Sequence, residues 1–211
     1  NYLKYQNIIE ENPFNQLRFQ FRTEKILPKT IPYNILKSIF IYLEQKVVIS
    51  KTDYQKQKAE RNLLIISLLL STGIRISELC HIHLKDINLS NKTLHIIGKG
   101  KKERILFLGD QTTFNLLETY INKTRNESND FLFPGKHSPK PLSEQSVRLI
   151  LKRIVEQNNL SKTITPHMFR HSFATMLLDN DVDIRYIQQI LGHSSISITQ
   201  IYTHVSHSKQ K

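Results

Sequence analysis

The chain has 211 residues, a formal net charge of +12 at pH 7 and a single cysteine. No apolar run approaches the roughly 20 residues that cross a bilayer, and the lone Cys80 excludes an internal disulfide and a C-x-x-C metal site. A strongly basic chain favours a polyanionic partner, nucleic acid first, although the charge is also consistent with solubility alone.

The N-terminal residues differ in character from the rest. NYLKYQNIIEENPF is typical of the end of a helix that stops at Asn12-Pro13, and the basic segment that follows contains two prolines, as interdomain linkers often do. We therefore expect residues 1–26 to be the end of a preceding domain plus a linker, residues 27–205 to form one domain, and residues 206–211 to be a flexible tail.

Apolar residues at helical spacing predict that most of this domain is helical. The helices expected in its first half cover Tyr33–Val48, about Gln57–Ser71, Arg75–Ile82 and Gln111–Asn122. Gly73 is typical of a residue that ends a helix, and Asp110 of one that caps a helix. The small residue Cys80 is expected in the core.

The second half of the domain shows the same pattern. Helices are expected over Glu144–Gln157, from Thr165 onward, over Ile184–Leu191 and over about Ser197–His204. Ser143, Thr165 and Asp183 are the expected caps, and Gly192 the expected end of the third of these helices. The predicted core-facing residues of the first two are Val147, Ile150, Leu151, Ile154, Phe169, Phe173, Met176 and Leu177.

One segment predicts β-structure instead. In TLHIIGKGKKERILFLG, two β-rich runs, Thr93–Ile97 and Arg104–Leu108, flank a turn of glycines and lysines. The expected fold class is therefore mainly α (α+β), a helical bundle with a small antiparallel β-hairpin.

Cationic residues lie where a helix dipole disfavours them. His167 and Arg170 fall in the first turn of the helix that follows Thr165, and cations are unfavourable at a helix N-terminus. The simplest explanation is an anion opposite them. Three other segments add further groups: STGIRISEL, with Arg75 one turn before Glu78; GKGKKER, with Lys99, Lys101 and Lys102; and LGHSSISITQIYTHV, with His193 and Tyr202.

This set of residues suits a phosphate. Arginine binds phosphate oxygens in a bidentate manner, and lysine acts as a point charge or proton donor. The sequence has no Walker-type phosphate loop and no acidic cluster for a two-metal nuclease. Without metals, phosphoryl transfer needs another nucleophile, and tyrosine forms covalent intermediates in some enzymes.

Each of these residues also has an ordinary structural interpretation. Tyr202 alone is consistent with a core aromatic, Arg75 and Glu78 with a simple helix ion pair, and Lys99 with a solvated turn. His167 and His171 have a spacing that can bind zinc, but no Glu or Cys stands beside them as a further ligand. His171 is more simply interpreted as a hydrogen-bonding residue behind the site or in the core.

Taken together, the segments TGIRISEL, IGKGKKERILFLG, TPHMFRHSFATMLL and IQQILGHSSISITQIYTHV resemble, in order and approximate spacing, the motifs of the tyrosine recombinase/integrase family. The similarity is greatest to Xer-type recombinases and to integrases of phages and transposons. It covers about Leu27–Val205 and implies the family's catalytic fold. The NPF segment and the basic linker resemble the junction with that family's DNA-clamping, core-binding N-terminal domain.

The resemblance implies a role for each matched residue. Tyr202 would attack the scissile phosphate and form a 3′-phosphotyrosyl link, while Arg75 and Arg170 would bind the non-bridging oxygens. Lys99 would protonate the leaving 5′-oxygen, His167 would act as a base or hydrogen-bond partner, and His193 would bind the phosphate. Glu78 matches an accessory acidic position. No metal, ATP or other cofactor is implied.

Further expectations concern DNA and partners. The polar face of the 144–157 helix suits the major groove of DNA, although it is equally consistent with a face that only contacts solvent. The candidate DNA contacts are Gln145, Arg148, Lys152 and Arg153 on this helix and Lys101 and Lys102 on the lysine turn. The resemblance implies double-stranded DNA with an inverted-repeat core site, a homotetramer on DNA, possible accessory directionality proteins, no membrane, and a prokaryotic, nucleoid-associated cytoplasmic location. The alternatives are a type IB topoisomerase-like enzyme and a non-catalytic DNA-binding protein of the same fold.

Overall fold

The computed structural model describes residues 2–10, 28–98, 100, 102–124, 130–135, 140–160, 163–193, 195–200 and 202. Several predicted features lie outside these residues: most of the linker, Lys99, Lys101, the part of the last predicted helix beyond Tyr202, and the tail at 206–211.

The described chain is mainly helical. Its helices are α1 (Tyr2–Tyr5), α2 (Tyr33–Val48), α3 (Asp53–Thr72), α4 (Ile76–Cys80), α5 (Gln111–Thr124), α6 (Glu144–Gln157), α7 (Pro166–Asp179), α8 (Ile184–Leu191) and α9 (Ile196–Gln200). Strands β1 (Ile87–Asn88), β2 (Thr93–Ile97) and β3 (Glu103–Phe107) form one antiparallel sheet in the order β1-β2-β3. The predicted fold class is confirmed.

Helix α3 is the centre of the core. Most of its C-terminal half is buried, with Leu64, Ile65, Ile66, Leu68 and Leu69 inaccessible to solvent, and it packs against α2, α5 and α7. Burying each such side chain contributes about 1.5–3 kcal/mol. This helix therefore fixes the position of the residues that follow it, where the cationic motifs begin.

The sheet directs one basic residue inward. In the β2–β3 register Leu94 pairs with Leu106 and Ile96 pairs with Arg104. Because alternate residues of a strand share a face, Arg104 lies on the same face as the buried Leu106, whereas Ile105 points to solvent.

The ends of several elements differ from the prediction. Helix α3 begins at Asp53 rather than near Gln57, because the Thr52 side chain accepts a hydrogen bond from the Gln55 backbone N–H and the first turns are too polar to show an apolar pattern. Strand β3 begins one residue early, α5 continues to Thr124, and the two-residue β1 is too short for periodicity to detect. The predicted third helix covers only Ile76–Cys80, because Arg75 has an extended backbone conformation as its N-cap. The predicted N-terminal helix covers only Tyr2–Tyr5, before Asn7 takes a left-handed conformation, and its predicted stop at Asn12-Pro13 lies outside the described residues.

Thr165 is the N-cap residue of α7, as predicted, but its side chain makes no cap hydrogen bond. One prediction about α7 and one about α9 are wrong. Met176 is 45% exposed, because α7 turns the small residues Ala174 and Thr175 inward. Helix α9 ends at Gln200, so Tyr202 lies in a turn after the helix and not within it.

Candidate active site

A basic cleft of about 850 Å³ opens between the hairpin, α4 and α8. It is lined by four cationic side chains and a histidine, among other residues: Arg75, Lys102, Arg104, Arg185 and His193. Three of the predicted site residues therefore share one cleft, and two arginines join them that the sequence interpretation did not select. Such a surface suits a phosphate backbone.

Arg75 is fixed at the start of α4. Its backbone N–H donates to Oε2 of Glu78 at 2.9 Å, and its Nη1 donates to Oε1 of Glu78 at 3.0 Å, which confirms the predicted ion pair. Its Nη2 donates to the Gly192 carbonyl at 3.1 Å. The Arg75 side chain therefore links the start of α4 to the end of α8 and remains partly open to solvent.

Arg104 completes this network. Its Nη1 and Nη2 donate to the two carboxylate oxygens of Glu78 at 2.9 and 2.7 Å, and its Nε donates to the Ile190 carbonyl at 2.8 Å. The side chains of Arg104 and Glu78 are only 11% and 5% exposed. Burial alone would raise the pKa of Glu78, but the hydrogen bonds and charges of Arg104 and Arg75 outweigh it and lower the pKa.

The lysine turn begins beside this carboxylate. The Gly98 N–H donates to the Lys102 carbonyl at 2.7 Å, and a Cβ atom at Gly98 would lie 3.4 Å from Oε1 of Glu78. Lys102 lines the cleft, whereas Lys99 and Lys101 lie outside the described residues. The residue that precedes Lys99 therefore lies close to the network that holds Arg75.

Arg170 is buried and held by backbone carbonyls. It is 5% exposed, and it donates from Nη1 to the Gly73 carbonyl at 2.7 Å and from Nη2 to the Leu191 carbonyl. Burial, with the nearby charge of Arg75, lowers the pKa of Arg170 to about 10. Gly73 has a φ of +61°, and a Cβ there would lie 2.4 Å from the Phe173 ring, so only glycine presents this carbonyl without strain.

Tyr202 lies beside Arg170 in a small apolar cluster. It is 2% exposed and packs with Phe173, Ile187 and Leu191. Burial raises the pKa of Tyr202, although the charges of Arg170 and Arg75 act in the opposite direction. The phenol is therefore protonated near neutral pH and shielded from water.

Two histidines contact Tyr202. Nδ1 of His171 lies 2.9 Å from the Tyr202 hydroxyl, and the His193 ring stacks on the tyrosine ring with centroids 6.3 Å apart. Nδ1 of His193 also lies 2.9 Å from Oγ1 of the buried Thr199.

Both histidines are neutral at pH 7. Burial lowers the pKa of each to about 4, and Arg170 contributes in both cases. The charge of His167 further lowers the pKa of His171, and the charge of Arg75 further lowers the pKa of His193.

The remaining predicted residues lie in neighbouring grooves. His167 is exposed and lines a groove of about 550 Å³ with Arg148 and Lys152 of α6. Gln145 is exposed at the start of α6. Arg153 lines a separate groove with Lys46, so the basic residues of α6 do not share one face.

Sequence reasoning missed the roles of Arg104 and Arg185, and it placed His171 only in general terms. The alternation of strand β3 was the available signal for Arg104. It places Arg104 on the same face as the core residue Leu106, where an arginine is rarely found unless its side chain is paired. Helical periodicity offered no signal for Arg185.

Residues 40–209 match the sequence model of the phage integrase family. The chain belongs to this family. A tyrosine recombinase of Agathobacter rectalis is 51% identical over 214 residues, which is all of this chain and 69% of that protein. The tyrosine recombinase XerD of Staphylococcus haemolyticus is 38% identical over 90% of this chain and 65% of its own length.

Solved structures agree with this family assignment. The XerA recombinase matches with a TM-score of 0.70 at 27% identity, over 88% of this chain and 62% of that one. The XerH site-specific recombinase, solved with a palindromic difH substrate after cleavage, matches with a TM-score of 0.73 at 27% identity, over 90% of this chain and 54% of that one. This integrase chain thus covers between about half and two thirds of the length of most of these relatives.

Within the described residues, no helix has the length and apolar character needed to cross a membrane. The same residues contain no group of three or more His, Cys, Asp or Glu side chains arranged to hold a metal ion.

Proposed function

We propose that this integrase chain is the catalytic part of a site-specific recombinase that cuts and rejoins DNA through a covalent bond to Tyr202, without metal or ATP. The observation that carries the proposal is the environment of Tyr202. Its hydroxyl is hydrogen-bonded to the neutral His171, and its ring packs in a buried cluster with Leu191, whose carbonyl binds Arg170. A buried phenol with a proton acceptor beside a cation is equipped for nucleophilic attack on a phosphodiester.

In the forward step, the Tyr202 oxygen attacks the scissile phosphorus. The P–O5′ bond breaks, and the 3′-phosphotyrosyl link retains the energy of the phosphodiester. Arg75 and Arg170 neutralise the charge that develops on the non-bridging oxygens. Because both guanidinium groups are already fixed by carbonyl or carboxylate acceptors, they need little reorganisation in the transition state.

Lys99 is the proposed general acid for the leaving 5′-oxygen. Support comes from the preceding residue, Gly98, which lines the same cleft as Arg75. Lys102, which lines the same cleft, and Lys101 would contact flanking phosphates. His193 would donate a hydrogen bond to the phosphate while its ring packs on Tyr202.

Duplex DNA would continue from the cleft across α6. Gln145, Arg148 and Lys152 are exposed there, and the two basic residues share a groove with His167. His167 would contact the DNA backbone beside the scissile phosphate. Arg153 lies in the other groove and would contribute to binding only where the DNA path bends around α6.

The proposed substrate is double-stranded DNA with an inverted-repeat core site in the nucleoid of a prokaryotic cell. A homotetramer would assemble on two such sites, with accessory proteins setting the direction of strand exchange. The palindromic difH substrate in the XerH structure supports this substrate class by similarity. Residues 1–26 would connect the catalytic domain to a core-binding domain.

The test is covalent trapping in cells that express the full-length protein, with the Tyr202→Phe variant as control. DNA linked to the protein after lysis in SDS would be recovered and its ends sequenced. We expect adducts at one short inverted repeat that vanish in the variant. Tyrosine-dependent adducts scattered over many sequences would indicate topoisomerase-like activity instead. Tight DNA binding without any adduct would refute the catalytic proposal.

A further inference from the structure

We propose that His171, rather than His167, accepts the proton of Tyr202 during DNA cleavage. This inference rests on the proposed function and assigns the general base within the same site. Its starting point is a contact between two side chains that lie 31 positions apart in the sequence: the Tyr202 hydroxyl is 2.9 Å from Nδ1 of His171.

The geometry meets the requirement for proton transfer. A general base must lie within about 2.6–3.2 Å of the oxygen whose proton it removes, and Nδ1 of His171 meets this requirement at 2.9 Å from the Tyr202 hydroxyl. His167 is exposed at the start of α7 and lines the groove of α6 instead. Because His171 directly follows Arg170 on α7, one turn of this helix holds both the guanidinium group and the base.

The surroundings of His171 keep its ring unprotonated near neutral pH, so it is free to accept a proton, although they also lower its proton affinity. Burial, with the charges of His167 and Arg170 on its own helix, holds the pKa of His171 near 4. Among the residues that the structure describes, Tyr202 and the neutral His193 face it from other elements. A DNA phosphate entering the site brings negative charge, which raises the pKa of a nearby histidine. The base therefore becomes stronger when substrate is bound.

The proton balance of the step is complete. As the Tyr202 oxygen bonds to phosphorus, its proton moves to Nδ1 of His171, and the leaving 5′-oxygen takes its proton from Lys99. In the rejoining step the 5′-hydroxyl attacks the phosphotyrosyl link, Lys99 recovers its proton, and His171 returns its proton to Tyr202. One turnover leaves both groups in their starting states.

The test measures single-turnover cleavage of a nicked suicide substrate by the full-length protein. His171→Phe removes the acceptor, and His171→Gln keeps a hydrogen-bonding oxygen that cannot act as a base. We expect both variants to cleave about 10²–10⁴-fold more slowly than the wild type. Introducing 3,5-difluorotyrosine at position 202, whose phenol is more acidic, should recover much of this loss because less proton abstraction is needed.

Matched controls separate the possible outcomes. We expect the fluorinated tyrosine to give no comparable recovery in His167→Phe, and Tyr202→Phe to abolish cleavage throughout. Wild-type cleavage by His171→Gln would show that His171 only positions the tyrosine, and slow cleavage that the acidic phenol does not relieve would equally overturn the proposal. A wild-type protein that forms no adduct would instead refute the proposed function itself.

Discussion

Removing the Arg104 guanidinium should destabilise the protein far more than removing an ordinary surface arginine. Arg104 is 11% exposed, and Arg104→Met would delete two hydrogen bonds to the buried carboxylate of Glu78 and one to the Ile190 carbonyl. Breaking a buried ion pair by removing one partner costs about 3–5 kcal/mol. Because Glu78 keeps its two hydrogen bonds from Arg75, we expect the lower end, about 3 kcal/mol.

The assay is thermal and urea denaturation of the purified chain. For a protein of this size, 1 kcal/mol shifts Tm by about 2–4 °C, so Arg104→Met should lower Tm by about 6–12 °C. The matched control is Arg148→Met, which removes an exposed arginine paired with Glu144 at 2.8 Å. An exposed pair of this kind contributes about 0.3–0.5 kcal/mol, or about 1–2 °C.

A double variant checks the cause of the loss. Adding Glu78→Gln to Arg104→Met removes the uncompensated carboxylate, and we expect it to recover part of the lost stability. If Arg104→Met lowers Tm no more than Arg148→Met does, the buried network does not stabilise the fold. If the double variant is less stable than Arg104→Met, the unpaired charge is not what destabilises the single variant.

Three further predictions follow from the same structure. Gly73→Ala should cost at least about 2 kcal/mol of unfolding free energy in urea denaturation, because the left-handed backbone disfavours a side chain and its Cβ meets the Phe173 ring; an unchanged midpoint would contradict this. Lys152→Ala should reduce the slope of log K against log salt for DNA binding by about one unit, whereas Arg153→Ala, in the other groove, should change it less; equal slopes would contradict the separation of the two grooves. The pKa values of His171 and His193 fall from 6.5 to about 4 on folding. Between these pH values the unfolded chain binds more protons than the folded one, so the free energy of unfolding should decrease as pH falls from about 6.5 towards 4. His171→Phe should make this decrease smaller, and a pH profile identical to that of the wild type would show that His171 does not titrate in this way.

The sequence was most informative where a local pattern determines the structure. Helices α2, α6 and α8 match their predicted bounds because caps and apolar periodicity are properties of neighbouring residues. The pairing of Arg75 with Glu78 was also local, at a separation of three positions.

Long-range contacts were the part that sequence could not provide. Arg104 reaches the Ile190 carbonyl across 86 positions, and Arg170 reaches the Gly73 carbonyl across 97. A backbone carbonyl has no sequence signature, so the elements that close the site could not be identified in advance. Met176 shows the related difficulty on a helix, because an apolar residue at the edge of a stripe faces outward when smaller neighbours pack inward.

The two carbonyl partners of Arg170 have a consequence for the DNA-free protein. Within the described residues its guanidinium hydrogen-bonds to neutral carbonyls and not to a carboxylate, although the charge of Glu78 partly compensates it. An oxyanion that binds beside Arg170 adds further compensation and, by mass action, stabilises the folded state that binds it. Sulfate or a short DNA duplex should therefore raise the unfolding temperature. The buried charge of Arg170 therefore affects both folding and substrate binding. The guanidinium that is proposed to lower the barrier to DNA cleavage also lowers the free energy of unfolding of the protein without a bound anion.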